Sequence, residues 1–151
     1  MLELNFPKYI FKIKKEAEKF YILDSLRKKY VKLTPEEWVR QHAVQFLISE
    51  KHYPQGRIGV EVSLTVNGCT RRSDAVVFDT NGLPLLIMEC KAPDVKITKQ
   101  VFEQIAIYNI TLKAEYLYVT NGIEHFYCRI FHQEARYSFL QTLPDYTTIL
   151  S

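Results

Sequence analysis

From Ile58 to Val66 the apolar residues Val60, Val62, Leu64 and Val66 alternate with Gly59, Glu61, Ser63 and Thr65, a period of two that predicts a strand with one buried face. Asn67-Gly68 follows, the strongest short hairpin signal, and leads into a second strand over 71–79. Asn81-Gly82 then predicts a turn into a third strand over 85–91, completing an antiparallel meander that Ala92-Pro93 ends. Beyond it the period changes. Ile97, Val101, Ile105, Tyr108 and Leu112 recur at helical spacing, so 97–112 predicts a helix of about four turns. Tyr116–Thr120 reads as a short strand, Asn121-Gly122 as a turn and 124–131 as a last strand.

Upstream of the meander, Thr34-Pro35-Glu36-Glu37 is a helix start: Thr34 as N-cap, Pro35 in the first helical position and Glu37 closing a capping box. That helix should run to about Ser49, with Trp38, Val39, Val44, Phe46, Leu47 and Ile48 on its apolar side and Arg40, Gln41 and His42 on another. Residues 9–14 alternate as a half-exposed strand, and 20–23 suit a second. The predicted order is strand pair, helix, three-strand meander, helix, two strands: an α/β (α+β) arrangement.

Composition adds limits. The 151 residues, 47% hydrophobic and 25% charged, suit one globular domain with a real core. No apolar run approaches the roughly 20 residues of a membrane span, and the start lacks a secretory pattern, so a cytoplasmic protein with no membrane association is expected. Cys69, Cys90 and Cys128 have no CxxC spacing and read as reduced core residues. Residues 1–33 hold nine Lys/Arg against four acids, whereas the remainder holds eleven against thirteen. Such a basic arm (Lys12, Lys14, Lys15, Arg27, Lys28, Lys29) can meet a phosphate backbone or simply keep a strand edge solvated.

The two Asn-Gly turns, taken as two-residue loops, fix a register. Counting back from Val66 opposite Cys69 sets Glu61 opposite Asp74, and counting from Thr80 opposite Leu83 sets Asp74 opposite Glu89. Three carboxylates then cross three adjacent strands, with Lys91 one pleat beyond Glu89 on the same face. Like charges about 5 Å apart repel and resist burial, so a cation must offset them. A divalent ion with hard oxygen ligands, Mg²⁺ above all with Mn²⁺ as substitute, fits Asp74, Glu89 and Glu61. Under the alternative reading, a bulge takes one or two of these acids out of the row, or they pair with Lys91, Arg71 or Arg72.

Asp74, then Glu89-Cys90-Lys91, then Gln104 to Tyr108 on a helix resembles the PD-(D/E)XK nuclease superfamily with its QxxxY motif. Within it, 34–41, Arg71-Arg72-Ser73-Asp74, Glu89-Cys90-Lys91-Ala92-Pro93 and Thr120-Asn121-Gly122 are similar to the amino-terminal nuclease domain of the type I restriction enzyme R subunit. The likeness covers about residues 20–131. Ser73 stands where the motif usually has proline. The resemblance implies a restriction-endonuclease-like mixed sheet, the meander within it, flanked by helices. It also implies Asp74 and Glu89 as metal ligands, Lys91 as the group that positions or activates water, and Gln104 and Tyr108 as supporting catalytic residues. Its first-helix acid would be Glu36 or Glu37, with Glu36 preferred because Glu37 has a capping role.

The expectation is therefore one nuclease-like domain over 1–151: a basic strand pair (1–33), a core (34–131) and a tail (132–151) that matches no motif. Its function would be Mg²⁺-dependent DNA cleavage. Arg71, Arg72, Lys28 and Lys29 would contact DNA, and a separate motor or restriction-modification subunits would be partners, since no GxxxxGK[ST] occurs; an oligomer is compatible. The competing readings are a catalytically silent DNA-binding accessory module of the same fold and an interaction domain whose acidic row is coincidental.

Overall fold

A computed structural model describes residues 2–150, the side chains of Val66 and Cys69 apart. A small antiparallel sheet, β1 (Ile13–Glu16), β2 (Lys19–Asp24) and β3 (Lys29–Lys32), comes first, followed by helix α1 (Pro35–Ser49). The meander is β4 (Ile58–Val66), β5 (Cys69–Phe78) and β6 (Pro84–Cys90); then come α2 (Lys99–Ile110), β7 (Tyr116–Thr120), β8 (His125–Phe131), β9 (Arg136–Leu140) and the short α3 (Tyr146–Ile149). Strands β4 to β9 form one six-stranded sheet in chain order. Only β6 and β7 are parallel, because α2 carries the chain back across the sheet between them.

Alternation along the central strands sends side chains to two cores. Ala75, Val77, Leu86, Met88 and Cys90 pack with Val39, Ala43 and Leu47 of α1. Val76, Ile87, Leu117 and Val119 pack with Phe102, Ile105 and Ala106 of α2. Burying both faces explains the near-continuous apolar runs of β6 and β7. Cys90 and Cys128 are free and buried, whereas the Cys69 side chain lies outside the described residues.

The amino-terminal region departs from the predicted strand pair. It has three strands, and the first starts only at Ile13; 5–12 is extended chain tied down by Asn5 and Lys12. That chain explains a second departure. The Arg40-Gln41-His42 side of α1, set apart from its apolar side in the sequence, is buried as well, because the small sheet and residues 2–12 lie over it. His42 sits among Phe6, Tyr9, Phe11 and Trp38. Thr34 caps α1 by accepting from the Glu37 N–H at 3.0 Å, but the Glu37 carboxylate does not complete a capping box and turns to Arg27, Arg40 and Gln41 instead.

The β4–β5 register follows the count from Asn67-Gly68, Val66 opposite Cys69 and Val60 opposite Ala75, with the ladder interrupted at Glu61 and Asp74. Glu61 adopts φ +53°, a left-handed conformation that costs an L-residue about 1–2 kcal/mol. The chain rotates there, so Val62 folds back over Gly59, where a Cβ would meet Val62 Cγ2 at 2.5 Å. The second turn corrects expectation: residues 79–83 form a five-residue loop closed on Asp79, not a two-residue turn. A register shift at Val77/Phe78 restores the count, so Val77 opposes Leu86 and Ala75 opposes Met88 as predicted. In the tail, β9 pairs with β8, and Tyr53 and Tyr146 fix the end through Pro144 and Phe78 carbonyls.

Two histidines hold the amino-terminal strap neutral. His42 Nδ1–H donates to the Trp38 carbonyl at 2.8 Å. His125 Nε2–H donates to the Asn5 carbonyl at 2.8 Å while its Nδ1 accepts from Tyr118 and Thr120 hydroxyls. Burial pushes both imidazoles below their ordinary value, against the backbone bond each makes. A histidine depressed in the fold lends stability that is complete above the unfolded value, about 6.5, and lost as pH falls through the folded one. Tm should therefore fall between about pH 7.5 and about pH 5.5. His125→Gln should flatten that profile; an unchanged profile would remove the histidine from the account.

Candidate active site

The chemistry gathers where β5 and β6 part. Their last pair is Ala75 with Met88; beyond it Asp74 and Glu89 still face each other by register but no longer share backbone bonds. The Cys90 N–H, which would have sought β5, donates to Asp74 Oδ2 at 2.7 Å, so the carboxylate takes the place of a backbone partner and is fixed by it. On the other flank the Lys91 N–H donates to the Thr120 carbonyl at 2.9 Å, extending the parallel pairing one residue past Cys90. Glu89 shares the face of Ile87, toward α2.

A cleft of about 380 Å³ lies over this row. Glu89 and Lys91 line it from β6, Gln104 and Tyr108 from α2, and Arg71 and Arg72 from β5. Gln104 and Tyr108 are one helical turn apart on the side of α2 opposite its buried Phe102 and Ala106, which is why both reach the cleft. The Arg71 guanidinium stacks 3.7 Å over the Tyr108 ring.

Electrostatics set Glu89 apart. Burial, the Asp74 charge and a contact in which the two carboxyls share a hydrogen bond push its carboxyl up to about 9, against the pull of Lys91 and Ser73. Two carboxyls in such contact need a proton or a cation between them. Glu36, on the first turn of α1, belongs to the same field: partial burial and Asp74 raise its carboxyl, while Arg40 and Lys91 oppose the rise.

Glu61 is not free to join the pair. Its carboxylate meets Arg72 at 2.7 Å, Arg40 at 3.2 Å and Arg27 at 3.4 Å, the salt-bridged arrangement that was the alternative to a ligand role. Burial disfavours its charge, yet Arg40, Arg72 and Arg27 prevail and hold the carboxyl below its ordinary value. Glu37, the other first-helix candidate, is buried against Arg27 at 2.9 Å and Arg40 at 3.1 Å, out of the cleft. Among the described residues no group of three His, Cys, Asp or Glu is disposed to hold a metal ion.

Two arginines that the sequence reading passed over or misplaced organise this side. Arg40, buried on α1, holds Glu37 and Glu61 and comes within 3.5 Å of Asp74 Oδ1. Arg27, grouped with the DNA-binding arm by charge alone, turns inward to Asp24 at 2.7 Å, Glu37 and Glu61. Burial works against the Asp24 charge, but bonds from the Arg27 backbone and guanidinium hold its carboxyl below the usual range. The spacing of Glu37, Arg40 and Gln41, three and four apart, was the available signal: one helix face with paired charges. Lys28 and Lys29, at the β2–β3 turn, are exposed beside this network.

A family model described as type I restriction enzyme R protein N terminus (HSDR_N) matches residues 35–144. Among solved structures the chain is similar to a fragment assigned as an HsdR subunit of a type I restriction enzyme from Vibrio vulnificus, with 16% identity and a TM-score of 0.51, covering 75% of this chain and 24% of that one. It is also similar to a DUF820 protein from Anabaena variabilis assigned as a nuclease, with 14% identity and a TM-score of 0.47, covering 85% of this chain and 80% of that one. The chain thus spans about a quarter of the length of the HsdR fragment it matches. No curated protein matches.

Proposed function

The chain belongs to the family of type I restriction enzyme R protein N termini, and from that membership we propose that it is a metal-dependent deoxyribonuclease domain that hydrolyses phosphodiester bonds. The observation that carries the reading is the juxtaposition of Asp74, Glu89 and Lys91 where the β5–β6 pairing stops, beside a cleft lined by Glu89 and Lys91 and, from α2, by Gln104 and Tyr108. Two carboxyls whose charges oppose one another, as Asp74 opposes ionisation of Glu89, suit Mg²⁺ or Mn²⁺, since Mg²⁺ is commonly held by one or two carboxylates with waters and substrate phosphate completing its shell. Asp74 and Glu89 would hold it, and Glu36 is the acid nearest in charge to them; Glu61, with three guanidiniums, is left out of the ligand set.

When bound, the ion supplies Lewis-acid polarisation of the phosphate and a water of lowered pKa. The chain's own residues do the rest. Lys91 is the cation two residues from Glu89 in the cleft, able to hold the attacking water and to offset negative charge growing on the phosphoryl oxygens. Gln104 presents an amide, and Tyr108 a hydroxyl, to the strand in the cleft. Arg71 and Arg72 border it and, with Lys28 and Lys29, offer the phosphate contacts that an acidic row cannot. As partners we read restriction-modification subunits and a separate motor, a reading that the family membership supports. No helix among the described residues is long and apolar enough to cross a membrane.

The second reading, a silent DNA-binding module, is favoured by the engagement of Glu61 with Arg72, Arg40 and Arg27, which leaves Asp74 and Glu89 without that acid. Plasmid nicking in Mg²⁺ or Mn²⁺ by wild type and by Glu89→Gln, with metal binding followed by calorimetry, separates the two. Nicking that needs metal and is lost in Glu89→Gln is expected. Equal nicking by both proteins would remove the site, and DNA binding without nicking by wild type would establish the silent module.

A further inference from the structure

The small amino-terminal sheet has a chemistry that cleavage does not use. Between residues 8 and 32 eight lysines, at 8, 12, 14, 15, 19, 28, 29 and 32, are all exposed. The acids of that stretch offset only part of this charge: Asp24 is buried with Arg27, Glu16 and Glu18 pair with Lys14 and Lys15, and the other six lysines outnumber them. A dense cationic surface on a projecting sheet is complementary to a polyanion.

Register sorts that surface further. Lys14, Tyr21 and Lys32 are opposed across the three strands, and Leu23 is opposed to Tyr30 in the neighbouring row, so all five share one face. Lys19 and the Glu16 opposite it join them by alternation, Glu16 pairing with Lys14 at 3.4 Å, whereas Ile22 and Asp24 point the other way into the protein. Tyr21 and Tyr30 are diagonal neighbours across β2 and β3, about 7–8 Å apart in such a pair. The Lys14 ammonium lies 4.3 Å over the Tyr30 ring. Two aromatic rings ringed by three lysines on an open sheet face offer stacking and phosphate neutralisation together.

The sheet's position gives this face a direction. Its β2–β3 turn is fastened by Arg27 to Glu37 and Glu61, and Arg40 links Glu61 to Asp74. From there β2 runs away for six residues, about 20 Å. We propose that this face, Tyr21 and Tyr30 among Lys14, Lys19 and Lys32, binds single-stranded DNA beside the cleavage site. Lysines alone would serve a duplex equally, but a duplex keeps its base faces stacked and has none to give the tyrosines. The substrate of the nuclease would then be DNA with an unpaired stretch next to the cut, and only that last step rests on the nuclease reading.

Fluorescence anisotropy of the full chain in chelator, with a labelled oligothymidylate and a blunt duplex of equal length, tests it without any cleavage. The single strand should bind about tenfold tighter or better, with a salt slope near −0.7 for each phosphate contacted. Tyr21→Ala with Tyr30→Ala should weaken single-strand binding by about tenfold or more and leave duplex binding unchanged. Tyr21→Phe with Tyr30→Phe keeps the rings and should keep the affinity, which separates stacking from packing. Lys14→Glu with Lys32→Glu should weaken the single strand and flatten its salt slope. Duplex binding as tight as single-strand binding, or Ala variants that bind oligothymidylate like wild type, would overturn the platform. A protein that binds the single strand in this way yet never nicks leaves the platform standing and overturns the nuclease reading alone.

Discussion

Lys91→Ala should lower metal-dependent nicking by about 10²–10³-fold, the usual cost of one electrostatic stabiliser, while metal affinity stays equal or rises. The sign of the second effect follows from charge. Lys91 opposes the rise of both Glu89 and Glu36, so it stands in the field of the acids that would hold the ion, and its removal takes away a competing cation. Asp74→Ala should behave differently, losing nicking and metal binding together. It removes hard oxygens and also strands the Cys90 N–H that Asp74 accepts from at 2.7 Å, so its Tm should fall as well. Lys91→Ala, whose backbone bond to Thr120 is untouched, should melt near wild type. Calorimetric titration with Mn²⁺ beside plasmid nicking reads both quantities. Nicking by Lys91→Ala at the wild-type rate would end its assignment, and loss of metal binding in that variant would make it a structural residue.

What could be read from sequence here was local or periodic. Alternation from Val60 to Val66 with Asn67-Gly68 behind it determined the β4–β5 register, and Thr34-Pro35 located the start of α1. The β5–β6 register, Ala75 opposite Met88, came out as counted although Asn81-Gly82 is not a two-residue turn: the longer loop and the shift at Val77/Phe78 cancel, and no sequence rule foresees such a cancellation. The ion pairs of Glu61 were not legible because they depend on Arg27 and Arg40, far away along the chain, and the burial of Arg40 depends on the strap over α1. The strap itself, 2–12, carries few repeating cues, being held by single carbonyls, His125 and an aromatic cluster rather than by a ladder. β3 escaped notice for a related reason: four residues give too short an alternation to stand out.

Arg40→Met should be the most destabilising single change in the buried network. Arg40 is 7% exposed and serves Glu37 at 3.1 Å, Glu61 at 3.2 Å and Asp74 at 3.5 Å, so its removal takes a guanidinium from Asp74 and leaves the buried Glu37 with Arg27 as its one remaining guanidinium partner among the described residues. Breaking a buried pair from one side costs about 3–5 kcal/mol. For a domain of this size each kcal/mol is worth about 2–4 °C, so Tm should drop by about 10 °C. Arg40→Lys should lose less but still measurably, because one ammonium keeps the charge without the planar fork that spans three carboxylates. Arg72→Gln provides the contrast: it also meets Glu61, at 2.7 Å, but its side chain is 66% exposed, and screened pairs of that kind contribute about 0–1 kcal/mol. Because Arg40 also borders Asp74, nicking by Arg40→Lys, assayed well below its Tm, should fall while Arg72→Gln keeps a folded, metal-binding site. Differential scanning calorimetry of the three variants decides: Arg40→Met melting within about 1 °C of wild type would mean that Glu37, Glu61 and Asp74 find other partners, and that the link from the amino-terminal sheet to the active site does not run through Arg40.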